Sequence, residues 1–290
     1  MKKFYYLVLL AVLALPFSCN KNNGANDGSD VKMTEPATKS EAAVVKFPVE
    51  SAPEVLVKGN KAKVKEIEFT EASRFILKYE PETKAGEKET AFVGTYTVKD
   101  GVYTLSGIGS VKVSGNNVTV TPLSGAAQTV SATVTATKTS SDIMSNAART
   151  WKVNTVIVGL SGGNVSIEKK FNGCNLEEIS NYAKSNGVPI SDEDMASLKG
   201  LSVSEIIVTG ANTFVIRFAN DVCYYGTCSI SSSKSFSYKF AEGNDLLNVS
   251  ASGTIDFPAN SKCTLVLNTS ATHNGTAYKG TMEFDLNEQK

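Results

Sequence analysis

The sequence predicts a mainly β protein made of two tandem antiparallel units, each a meander or barrel, with a short helical insertion in the second. Three observations support this fold class. Short runs of alternating apolar and polar residues recur at close spacing from Val44 onwards. Turn signals such as Asp100-Gly101 separate them. Two distant stretches are also alike without gaps, VKEIEFTEASRFILKY at 64–79 and VSEIIVTGANTFVIRF at 203–218.

The first residues have the pattern of an export signal. A short basic start precedes an uncharged run, Phe4 to Phe17, that is rich in Leu, Val and Ala. This run is shorter than the ~20 apolar residues needed to cross a bilayer, and its length fits the core of a signal peptide. We therefore predict a signal peptide at 1–18 and a lipid-modified cysteine at Cys19. The alternative is an ordinary signal peptide cut near Ser18, which leaves the cysteine without a role.

The residues around Cys19 resemble the lipobox of bacterial lipoproteins, in which the cysteine is acylated and becomes the new N-terminus. Pro16 and Phe17 depart from the aliphatic and small residues that the family favours there. The resemblance implies an outer-membrane location, because Asn20 is not the aspartate that retains many lipoproteins at the inner membrane. It leaves open whether the protein faces the periplasm or the cell surface. Residues 19–43 have almost no large apolar side chain, which predicts a flexible tether.

The charge balance and the cysteines narrow the possible functions. Lys and Arg number 29, equal to Asp and Glu, and they are scattered, so a nucleic-acid-binding surface is not expected. Beyond the anchor the chain contains Cys174, Cys223, Cys228 and Cys263. They are compatible with disulfides of unknown pairing, with buried free thiols, or with a zinc half-site at C-x4-C that lacks a second half. We predict no cofactor and no metal site.

Each unit has its own predicted boundaries. The first β domain spans 44–140 and the second spans 147–290, with a polar stretch between them. The similarity continues past the aligned segments, since both units carry a Gly-Thr pair within a later strand, at Gly94 and Gly226. These shared features favour a tandem duplication.

The helical insertion is predicted at 175–200. Asn175 lies three residues before a glutamate, as in a capping box, and Ser191 opens a second, shorter helix. The acidic residues 192–194 raise the alternative of a calcium site. Because acidic residues in a first helical turn also complement the helix dipole, we interpret them as helix-stabilising.

One sequence motif suggests hydrolase chemistry. Gly159-Leu160-Ser161-Gly162-Gly163 matches G-x-S-x-G, and His273 follows later in the chain. A nucleophile elbow requires a helix directly after the serine. Residues 164–168 alternate instead as a strand does, which predicts a hairpin. We therefore assign no catalytic residue.

Aromatic residues are the best candidates for binding a ligand. Tyr224 and Tyr225 are neighbours on a predicted strand, so only one of them can face the core. The alternative for every candidate is a place in the packed core. The full set of candidates is Trp151, Tyr224, Tyr225, Tyr238, Tyr96 and Tyr103.

The segment Arg149-Thr150-Trp151-Lys152-Val153 resembles the opening strand of lipocalin-like proteins, although it lacks their glycine before the tryptophan. The whole chain resembles the lipocalin-like exported lipoproteins of Bacteroidetes-type bacteria, a resemblance that implies no enzymatic residues. We expect a non-enzymatic outer-membrane lipoprotein that binds a small apolar molecule or a glycan through its β units. The alternative is a structural or adhesion module with filled cores that contacts a surface protein. An enzyme ranks third.

Overall fold

The computed structural model describes residues 44–70, 73–82, 90–136, 142–241, 250–273 and 275–289. The predicted signal peptide, Cys19 and the tether lie outside these ranges. Most described residues form strands, and they build two antiparallel sheets, each of which curls into a barrel. The predicted fold class, two tandem β units with helices in the second, is confirmed.

The first barrel is an up-and-down meander. Its strands are β1 (Val44–Lys46), β2 (Glu54–Val57), β3 (Asn60–Phe69), β4 (Arg74–Pro81), β5 (Thr90–Lys99), β6 (Val102–Leu105), β7 (Gly109–Ser114), β8 (Asn117–Pro122), β9 (Gln128–Ser131) and β10 (Thr133–Thr135). β1 and β2 both pair with β3 and act as one strand interrupted by a 3₁₀ turn at Val49–Ser51. The barrel closes where β10 pairs with β1, which removes most of its free edges.

The second barrel contains the helices. Its elements are α1 (Asp142–Ala147), β11 (Thr150–Gly162), β12 (Val165–Asn172), β13 (Cys174–Asn175), α2 (Leu176–Ser185), α3 (Asp192–Leu198), β14 (Ser202–Val208), β15 (Thr213–Phe218), β16 (Cys223–Ile230), β17 (Ser235–Phe240), β18 (Ser250–Asp256), β19 (Lys262–His273) and β20 (Thr276–Glu288). The start of β11 pairs with β14, at Trp151 and Ile206, and closes the barrel. The rest of β11 leaves β14 and pairs with β12.

The two predicted helix starts are present. The Asn175 side chain accepts hydrogen bonds from the N–H groups of Glu177 (3.0 Å) and Glu178 (3.2 Å). The Ser191 hydroxyl accepts one from the N–H of Asp194 (3.1 Å). The apolar side chains of both helices join the cluster that fills the second barrel. Over the described ranges, every helix is too short or too polar to cross a membrane.

The short helix α1 was not predicted. Met144 and Ala147 pack in the core of the second barrel, and the indole N–H of Trp151 donates to the carbonyl of Ala147 (2.9 Å). The second unit therefore begins before residue 147, within the polar stretch predicted to join the units.

The two copies share details of strand pairing that support an internal repeat. The β3–β4 ladder changes register between Val64 and Glu66, and the β14–β15 ladder does so between Val203 and Glu205, at the aligned places. The Gly-Thr pairs also correspond. Each glycine lies opposite an aligned, fully buried phenylalanine of the preceding strand.

The barrels meet through a small apolar cluster on their outer faces. Most of its members form aligned pairs from the two copies: Ile76 with Val215, Ala91 with Cys223, and Val93 with Tyr225. Because each barrel contributes the same face, the contact has approximate two-fold symmetry.

Candidate functional site

The interior of the first barrel is filled by side chains from its own strands. The ring of Phe69 lies 4.4 Å from that of Tyr103 and 5.2 Å from that of Tyr96, centroid to centroid. The Tyr96 hydroxyl donates to the carbonyl of Thr70 (3.0 Å). Tyr96 and Tyr103, two of the predicted ligand-binding candidates, are thus buried, and their rings stabilise the core.

The interior of the second barrel is filled in the same way. Trp151 is fully buried, and its ring centroid lies 6.1 Å from that of Phe257. Tyr238 stacks on Phe214 at 4.9 Å, and burial raises the pKa of its hydroxyl. Neither of these two candidate residues lines an opening to solvent.

Tyr224 and Tyr225 point to opposite faces of β16, as predicted. Tyr224 is half-buried against the second core, edge-on to Phe218 at 5.5 Å. Tyr225 lies in the cluster between the barrels, 5.4 Å below the amine of Lys78. The six aromatic candidates are thus divided among three clusters, and the structure does not bring them together in one site.

The four cysteines of the β units are buried free thiols. Cys223 and Cys228 stand five residues apart on β16 and face opposite sides, the contact between the barrels and the second core. This geometry excludes a disulfide or a shared metal between those two. Burial raises the pKa of Cys223 to about 11 and that of Cys228 to about 12. Across the described ranges, no three His, Cys, Asp or Glu residues are grouped to hold a metal.

The G-x-S-x-G segment lies at the β11–β12 hairpin. Ser161 is exposed and pairs with Ser166 of β12. Gly163 adopts a φ of 59° in the turn, a conformation that favours glycine. Ser161 is therefore followed by a hairpin turn and strand β12, and not by the helix that a nucleophile elbow requires. His273 is the last residue of β19 and pairs with Thr276 of β20.

An open cleft lies on the first barrel beside β2. Its volume is about 280 Å³, near the lower end of the range for small-molecule sites. It is lined by Leu56, Lys61 and residues of the 122–128 segment. One wall is fastened by Gln128, whose side-chain amide accepts from the N–H of Glu54 (2.9 Å) and donates to its carbonyl (2.8 Å). Sequence reasoning missed this cleft because no aromatic residue lines it.

A buried ion pair crosses the contact between the barrels. The Glu205 carboxylate lies 2.9 Å from a guanidinium nitrogen of Arg74 in the first barrel and 2.8 Å from one of Arg217 in its own. The aligned positions of the first barrel, Glu66 and Lys78, also form an ion pair, at 2.5 Å. Both copies thus contain an acidic–basic pair at the aligned positions, and the glutamate of the second pair also binds an arginine of the other barrel.

Glu68 is the most deeply buried carboxyl in this contact. Desolvation raises its pKa, and hydrogen bonds with Thr209 and Thr213 of the second barrel offset this only in part. Among the described residues, its Oε2 finds no hydrogen-bond partner. The arrangement favours the neutral acid, which can be buried at lower cost than a carboxylate.

In comparison with known proteins, the chain matches no protein-family model, no curated protein and no solved structure. The features that bear on function are those of the chain itself. They are two filled barrels, a cleft beside β2 and a buried polar contact between the barrels.

Proposed function

We propose that this protein is a non-enzymatic outer-membrane lipoprotein that works through the outer surface of its barrels by contacting other proteins. The filling of both interiors carries the proposal. Tyr96, Tyr103, Trp151 and Tyr238 occupy the space that a carrier of apolar molecules would leave for its ligand. The outer surface is then the place where a partner would bind.

The N-terminal pattern supports the anchored part of the proposal. A lipid on Cys19 and the polar segment up to residue 43 would hold the barrels at a membrane while leaving their surfaces accessible. Among the described residues, no aromatic side chain is fully exposed. The exposed large apolar side chains among them are Val49, Val98, Leu123 and Val222.

Two measurements test this function. Incorporation of labelled palmitate into the full chain, and its loss in Cys19→Ser, would establish the anchor. The unlipidated Cys19→Ser protein is then titrated with a fluorescent fatty acid, with Trp151, the single tryptophan, as the reporter. We expect no saturable change in Trp151 emission and, in cells, cross-linking to other envelope proteins. One-to-one quenching of Trp151 by the fatty acid would instead establish a carrier.

The cleft favours a second candidate, binding of a small polar molecule by the first barrel. Its walls combine an apolar strand side with the Lys61 amine and the Gln128 amide. A panel of monosaccharides and capped dipeptides, followed by NMR shifts of the cleft residues, tests this candidate. Ala126→Leu would fill the cleft and serves as the matched control. Shifts that persist in Ala126→Leu would place binding elsewhere.

A further inference from the structure

β12 is the outermost strand of the second sheet, and its outer edge directs hydrogen-bonding groups to solvent. The Gly173 N–H donates to the Asn154 carbonyl (2.7 Å), and Val165 pairs with Gly162 beside the hairpin turn. Odd-numbered residues of β12 therefore bond to β11, because bonding alternates along an antiparallel pair. The residues whose N–H and C=O groups point away are Ser166, Glu168, Lys170 and Asn172. Of the described strands, none pairs with this side.

The side chains of β12 also alternate from residue to residue, between the solvent face and the inner face of the sheet. Glu168 and Lys170 are exposed on the solvent face, two residues apart and opposite in charge. Phe171 is buried on the other face. Lys169 shares that inner face, and its amine lies 4.8 Å from the ring centroid of Phe171 and 4.5 Å from that of Tyr182.

This charge pattern makes the edge complementary to itself. When two copies of β12 lie antiparallel about a two-fold axis at Lys169, Glu168 of each copy lies opposite Lys170 of the other. Both residues direct their backbone groups outward, so the same register forms hydrogen-bonded pairs. An axis at Glu168 would oppose two glutamates, and an axis at Lys170 would oppose two lysines. Opposite charges directly across a ladder stabilise it, and like charges destabilise it.

The two Lys169 residues would also lie opposite each other in this register. Each amine extends over Phe171 and Tyr182 of its own chain, so the two-fold axis directs the two amines apart. Charged residues on an edge strand ordinarily prevent indiscriminate pairing. In β12 the charges of Glu168 and Lys170 disfavour the registers centred on either of these residues and allow the register centred on Lys169.

We propose that the protein associates with a second copy of itself through antiparallel pairing of the two β12 edges. The pairing joins the second barrels of two chains into one continuous sheet. The proposal deepens the proposed function, on which it rests for the surface mode of action, by naming a partner. A single strand pair buries less area than a standard interface, so the free dimer is weak. Anchoring two chains to one membrane raises their effective concentration and strengthens it.

Charge reversal tests the register directly. Sedimentation velocity of the Cys19→Ser protein over a concentration series should show a monomer–dimer equilibrium. Glu168→Lys alone or Lys170→Glu alone places like charges opposite each other at two positions and should weaken dimerisation about tenfold or more. An equimolar mixture of these two variants should restore it, because one chain then supplies only lysines and the other only glutamates. The double variant should restore it as well.

Lys279→Glu is the matched control, since it reverses an exposed charge on β20, an interior strand of the same sheet. It should leave dimerisation unchanged, and circular dichroism should show that every variant folds. A monomer at all concentrations, or single variants that dimerise as well as the parent, would overturn the proposal. Failure of the mixture to recover would do the same. The proposed function fails by a different result, saturable binding of the fatty acid inside a barrel.

Discussion

Replacing Glu205 by glutamine should weaken the contact between the barrels. The Glu205 side chain is only 7% exposed and lies between two guanidinium groups, those of Arg74 and Arg217, whose side chains are 12% and 22% exposed. Glutamine keeps the shape but removes the charge, so both arginines lose their buried counter-ion. Arg217 retains Asp221 at 2.5 Å. Most of the loss therefore falls on Arg74.

The magnitude follows from this geometry. Removing one partner of a buried ion pair costs about 3–5 kcal/mol. Because both arginines keep some contact with water and Arg217 keeps Asp221, we expect a loss below that range, about 2–3 kcal/mol. With a urea m-value of about 2–3 kcal/mol/M, the unfolding midpoint falls by roughly 1 M.

The assay is urea unfolding of the Cys19→Ser protein, followed by Trp151 fluorescence and circular dichroism. The control is Glu80→Gln, because the Glu80 side chain is half exposed beside Lys65 (2.8 Å) and such pairs contribute less than about 1 kcal/mol. A loss for Glu205→Gln no larger than that of this control would refute the idea that the ion pair holds the barrels together.

Three further outcomes are expected. Burial raises the pKa of Glu68, so the folded state keeps a proton that the unfolded chain releases, and stability falls as pH rises above the ordinary glutamate pKa. Glu68→Gln should remove this fall, and equal slopes of urea midpoint against pH in both proteins would contradict it. Gly226→Ala should lower the free energy of unfolding by about 2–3 kcal/mol, because a Cβ there overlaps the backbone of β17. Gly94→Ala should lower it less, because the added Cβ meets the ring of Phe75, which can shift. Equal decreases in melting temperature would argue against this. Cys223 and Cys228 have raised pKa values, so at mildly alkaline pH they should not react with an aromatic disulfide reagent in the native protein. Both should react after unfolding. Rapid labelling of the native protein would show that these thiols are accessible.

Most strands could be predicted from the sequence because one face of each lies against a barrel interior. That asymmetry produces the alternation of apolar and polar residues. The three residues of β1 are too few to show such a period. The chain divides into β9 and β10 at Ala132, whose N–H donates to the carbonyl of Asn116. At this point the chain passes from pairing with β8 to pairing with β1.

The contact between the barrels corresponds to two unbroken apolar runs in the sequence. Phe75-Ile76-Leu77 and Phe214-Val215-Ile216 are three successive buried apolar residues at aligned places. A strand covered on both faces has such a continuous run. Glu205 and Glu68 could not be recognised in the same way, because a charged residue on an outer face ordinarily meets water.

The aromatic candidates show a different limit. Composition identifies rings that can pack or bind, but it does not say whether they surround a space or occupy it. Trp151 lies in the opening strand of the second barrel as expected. Its indole N–H is satisfied by Ala147, a residue of a helix that the sequence pattern did not predict.

The approximate two-fold contact has a consequence for how the copies could change. A dimer of identical chains has the same residue at both equivalent positions of its interface, and it dissociates on dilution. Two units joined in one chain stay together at any protein concentration. Fusion therefore allows each half to vary alone. Glu68 stands where the second copy has Ile207, and Arg74 where it has Thr213. Such independent variation would let the first barrel bind through the cleft beside β2 and the second through the outer edge of β12.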